Sequence, residues 1–173
     1  LGELQGIIKQ MLVNNGDLFD NHTRSTIDAI SDLPRVVYDF NSLSSRGEGV
    51  AMAQFANVLS FAVRTLGEGD TVIFHGAEHI TEEMREYVGK QIQNMYGRRI
   101  RVVFVYGSVS AAVEDSDFND LIKADYTLFG AMDSQEIEEY QKRMRVTIYE
   151  ALADVLMDDK DYMWFLRRSF QNV

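Results

Sequence analysis

The chain has 173 residues, 46% hydrophobic and 11% aromatic, which suits one domain with a real core and excludes a disordered segment. A formal net charge of −10 argues against broad contact with nucleic-acid phosphates, which needs clustered Lys and Arg, though it leaves room for one local basic patch. With no cysteine there is neither a disulfide framework nor a thiolate metal site, and the cytoplasm is the expected compartment.

Leu4, Ile7, Ile8, Met11 and Leu12 fall on one face of a first helix, which Asn14-Asn15-Gly16 should end. A second short helix is predicted over Thr23–Ile30, and Pro34 then leads into an extended segment. Residues 1–34 thus read as a helical lead-in to an α/β domain over 35–173. Arg35–Phe40 reads as a strand and Ser44–Gly49 as a loop. Val50–Leu66 is a helix with Ala51, Phe55, Val58, Leu59, Ala62, Val63 and Leu66 inward, stopped by Gly67 and Gly69. This longest apolar stretch is broken by Gln54, Asn57, Ser60 and Arg64, and no run approaches the roughly 20 residues of a membrane span. Leu1–Val13 lacks the basic front and cleavage site of a signal peptide.

Thr71–His75 is the next strand. Thr81 opens a helix whose first turn holds Glu82 and Glu83, where the helix dipole favours negative charge. Met84, Tyr87, Val88, Ile92 and Met95 line its inward side, and Gly97 ends it. Ile100–Tyr106 is a near-continuous apolar strand, of the kind usually covered on both faces. A short helix over Ala111–Ile122, a strand over Asp125–Phe129 and a long helix over Ser134–Met157 follow. That long helix should turn Ile137, Tyr140, Met144, Ile148, Leu152 and Val155 inward, and Tyr162–Phe170 is a candidate last strand. Strands separated by helices predict a three-layer α/β sandwich with a mainly parallel sheet.

Several groups are candidates for chemistry. His75-Gly-Ala-Glu78-His79 matches the H-x-x-E-H pattern of inverted zinc peptidases, which need both histidines and the glutamate on one helix. Here the first histidine ends a strand and the helix begins only near Thr81, so a polar strand-end loop is expected instead. His22, in a separate turn, does not complete a three-ligand site. Ser44-Ser-Arg-Gly-Glu-Gly49 precedes a helix but lacks the G-x-x-x-x-G-K-[ST] phosphate loop. Asp39, at a strand end, is read as a cap or turn residue. Ser108 and Ser110 have no histidine near in sequence and do not form the G-x-S-x-G elbow, so capping is expected of them. Arg98-Arg99-Ile-Arg101 and Arg167-Arg168 are the basic clusters, and Asp158-Asp-Lys-Asp161 reads as a solvated loop.

The order "RVVYDFNSL", "GDTVIFHGAEHI", "RIRVVFVYGSVSAAVED", "KADYTLFG" resembles the C-terminal half of a P-loop, RecA-like motor. The lineage is that of the FtsK/HerA ATPases, which translocate DNA or energise type IV secretion. The resemblance covers roughly Arg35–Met144. It sets Val72–Phe74 where relatives carry the Walker B strand, and Val102–Tyr106 where they carry the sensor strand. It then implies degenerate motifs: His75 and Gly76 stand in the places of the Asp and Glu that hold Mg²⁺ and orient water, and Tyr106 or Gly107 stands near the sensor Gln. Asp39, His75, Gly76, Glu78 and Tyr106 are the strand-end positions it singles out, with no catalytic residue and no metal ligand among them.

The chain begins on Leu and stops at Phe170-Gln-Asn-Val173, and we read it as a piece of a longer polypeptide. The leading expectation is a degenerate ATPase-like domain of a conjugative DNA-transfer protein from a mobile element. It would bind no cofactor in this piece, with ATP and Mg²⁺ expected only in a longer protein. It would act through self-association or through other transfer-apparatus proteins, in the cytoplasm or at the inner face of the membrane through those partners; contact with DNA stays open. Two alternatives stand beside it: an active ATPase fragment whose phosphate loop lies upstream, and an unrelated α/β module binding a protein or small ligand.

Overall fold

In the computed structural model the described residues are 2–19, 33–114, 124–158 and 164–168. The helix expected over Thr23–Ile30, His22, and parts of the elements expected over 111–122 and 162–170 lie outside them. The protein is of mixed α/β type, and its chain divides into two compact units, Leu1–Thr65 and Leu66–Val173.

In the first unit, helix α1 (Gly2–Phe19) leaves helical dihedrals at Asn15, where φ is −136° and ψ is 32°. This is the expected Asn-Asn-Gly break, met as a kink rather than an end. Residues 35–40 form no strand, and Val36, Val37 and Tyr38 are exposed. The β-branched run has strand propensity, but propensity is realised only against a neighbouring strand, and none of the described strands pairs with it. A 3₁₀ turn (Asn41–Arg46) follows, then Gly47 at φ +103° and helix α2 (Glu48–Thr65). Ala51, Leu59 and Val63 of the predicted stripe are buried, and Phe55 meets Phe40 edge-on at 5.7 Å. Arg46 grips both carboxylate oxygens of Asp17 at 2.7 Å, and this hydrogen bond holds the Asp17 carboxyl below its usual range. Gln54 of α2 donates to the Leu18 carbonyl of α1 at 3.1 Å, tying the two helices directly.

The second unit contains two strand pairs. Strand β1 (Thr71–His75) and strand β2 (Arg101–Val105) are parallel neighbours, in register from Thr71↔Arg101 to His75↔Val105. Helix α3 (Glu82–Gly97) joins them and packs Val88, Ile92 and Met95 inward at 1% exposure or less. Thr81 occupies its N-cap, although its side chain makes no capping bond. At the other end Arg99 (φ +57°) takes the left-handed position. Its N–H reaches the Tyr96 carbonyl, and the Ile100 N–H reaches that of Met95 at 2.9 Å. These are the paired bonds of a Schellman motif, and Met95 and Ile100, the two positions whose apolar contact often accompanies it, are both buried.

The expectation that the Ile100–Tyr106 strand is covered on both faces is corrected. Burial alternates along β2, leaving Val103 and Val105 exposed beside Ile73 of β1. Phe74 and Phe104 lie on the other face, stacked at 5.4 Å. An apolar run cannot by itself report how many layers cover it.

Helix α4 (Val109–Glu114) leads on to strand β3 (Tyr126–Phe129), which pairs with strand β4 (Phe165–Arg168) in antiparallel register, Leu128 opposite Leu166. The long helix expected over Ser134–Met157 is two helices, α5 (Ser134–Met144) and α6 (Glu150–Met157). Arg145 turns left-handed (φ +53°), and the following Val-Thr-Ile-Tyr run has low helix propensity because branching at Cβ crowds the preceding turn. Gln141 holds the break, its carbonyl accepting from the Val146 N–H and its side chain from that of Ile148 at 2.6 Å. Val109, Phe129, Met132, Ile137, Tyr140 and Leu156 form the core here. Val155, expected inward, is exposed, because the break resets the helical phase and brings Leu156 inside instead. Burial also holds the Tyr140 phenol above its ordinary pKa.

The described sheets are thus two two-stranded pairs, one parallel and one antiparallel, with no extended parallel sheet among the described residues. No helix among them is long and apolar enough to cross a membrane.

Candidate functional site

The positions singled out from the sequence converge in part, at the carboxyl tip of the β1–β2 pair. His75 ends β1 and stands exposed opposite Val105. Pairing continues one residue further, the Gly76 N–H donating to the Val105 carbonyl at 3.0 Å. Gly76 itself is left-handed (φ +74°, ψ +42°) and begins a 3₁₀ turn over Ala77–His79. Ala77 and Ile80 are buried at 2% and 7% exposure, so the turn is pinned to the core at both ends.

Glycine suits the position it holds at 76. A Cβ there would lie 3.2 Å from Cδ2 of His79, in a backbone conformation that L side chains rarely adopt. Any larger residue at this position carries a backbone cost and a contact to which the exposed His79 ring must yield.

Glu78 points from this turn toward the tip of β2. Its Oε1 lies 3.8 Å from where a Cβ on Gly107 would sit, and its Oε2 is buried without a hydrogen-bond donor among the described residues. Tyr106, just past β2, is half-buried with its ring 6.3 Å from Phe104. His75, Gly76, Glu78 and Tyr106 therefore share one edge.

Asp39 does not lie on a strand end. It belongs to the first unit, where its Oδ1 accepts the Asn41 N–H at 2.9 Å and starts the 3₁₀ turn, the capping use expected of it. The H-x-x-E-H residues do not converge: the ring of His79 lies against Gly76, while Glu78 reaches toward Gly107. Among the described residues no three His, Asp or Glu side chains are grouped to hold a metal.

The chain leaving β2 is fixed by caps. Ser108 Oγ accepts the Ala111 N–H at 3.1 Å, and Ser110 donates to Glu139. Ser108 thus caps a helix start, as expected, whereas Ser110, within α4, links that helix to the middle of α5. Glu136 was not anticipated. Its Oε1 accepts the Val109 N–H at 2.9 Å while its Oε2 accepts the Asp133 N–H at 3.1 Å, and Asp133 Oδ1 returns the bond to the Glu136 N–H. The Asp133-x-x-Glu136 spacing is a capping box and was readable as such. Its second use, at the start of α4, was not readable, because it depends on tertiary contact.

The basic cluster is likewise committed to structure. Arg98 donates to the Leu66 carbonyl, Arg101 to that of Gly69, and Arg99 pairs with Glu68 at 2.9 Å. Together they clamp the turn that feeds β1. Arg168 lies over the Tyr126 ring at 5.8 Å. Comparison of the chain with protein-family models, with curated proteins and with solved structures finds no match.

Proposed function

We propose that this chain is a degenerate, RecA-like motor domain of a conjugative DNA-transfer (type IV secretion) protein, acting through subunit or partner contacts rather than by hydrolysing nucleotide. The observation that carries the reading is the β1–α3–β2 unit. Two parallel neighbouring strands joined by one helix are what the resemblance requires of the Walker B and sensor strands. At the tip of the first stands His75, followed by Gly76 in a left-handed conformation that disfavours a side chain. A tip of this kind offers Mg²⁺ no hard oxygen ligand from these two positions. The three-layer architecture with a larger parallel sheet is part of the same proposal, as is residence in the cytoplasm or at the inner membrane face through partners.

The test is a titration of the purified chain with a fluorescent ATP analogue with and without Mg²⁺, beside light scattering over a range of concentrations. The expected result is no Mg²⁺-dependent binding and a mass that rises with concentration. Tight Mg²⁺-dependent nucleotide binding by this chain overturns the proposal. Binding only by a longer form carrying an upstream phosphate loop favours the active-ATPase alternative.

A second reading, an unrelated α/β binding module, draws support from the antiparallel pairing of β3 and β4, which departs from a parallel motor core. A mass that stays constant across the concentration range favours that reading.

A further inference from the structure

No further inference is drawn: the strongest candidate, the open face of the β3–β4 pair on which Tyr126, Leu128, Trp164 and Leu166 stand exposed, is an unpartnered apolar sheet face, and nothing in the structure shows what covers it.

Discussion

The β1–α3–β2 segment and the β3–α5–α6–β4 segment use the same materials and arrive at opposite strand pairings. In the first, one unbroken helix carries the chain back along the strands, so the second strand starts at the same end as the first and pairs parallel. In the second, the return path is cut at Arg145 into two helical legs. There β4 pairs antiparallel with β3. Among the described elements the parallel pair is separated by one α-helix and the antiparallel pair by two, the break between those two falling at residues of poor helix propensity.

The comparison can be broken most forcefully at the core of the first segment. Ile92, 1% exposed on α3, should cost about 2–5 kcal/mol when changed to Ala, because transfer and cavity terms add. Urea unfolding followed by circular dichroism measures it, and a loss well under that range would mean that α3 is not the element holding β1 beside β2.

At the strand tip, Gly76→Ala should cost about 1–2 kcal/mol through its left-handed backbone alone. Crowding against His79 adds to this. Combining Gly76→Ala with His79→Ala should recover the crowding part and leave the backbone part. Strict additivity of the two changes in a double-mutant cycle would show that the ring and the glycine do not interact.

In the second segment, Glu136→Ala removes both a capping box and the bond to the Val109 N–H, for an expected loss of about 1–2 kcal/mol in the same assay. Glu136→Gln keeps one acceptor oxygen but turns a donor toward the other N–H, so it should lose part of that amount. A Gln variant as stable as the parent would show that one of the two bonds contributes nothing.

The smallest effect is expected at the break itself. Arg145→Gly relieves a left-handed residue and should stabilise by about 0.5–1 kcal/mol. A destabilisation instead would mean that the Arg145 side chain contributes contacts that outweigh its backbone cost.

Legibility followed the locality of the cause. β1 matches its predicted limits, and α3 starts after Thr81 and ends at Gly97, because alternation, capping residues and helix stops are encoded within a few positions. The split at Arg145 was also local, written in Val146-Thr-Ile-Tyr149, but the longer apolar periodicity from Ile137 to Val155 masks it. What could not be read was whatever another element decides. Whether Val103 and Val105 are covered, and whether Arg35–Phe40 finds a strand to join, depends on neighbours outside the segment. At the site, His75, Gly76, Glu78 and Tyr106 lie at one edge, whereas Asp39, read from the sequence as a strand end, starts a 3₁₀ turn instead. The direction of Glu78, toward Gly107 and away from His79, is a property of the 3₁₀ turn and had no signature of its own.

The hollow beside His79 has a bearing on how this chain can change over generations. Any single replacement of Gly76 adds a carbon into space the imidazole already holds, so a gain of acidic chemistry there by one mutational step meets a folding penalty first. A smaller residue at position 79 removes the crowding and leaves only the backbone cost, so change there eases the way for any larger residue at position 76.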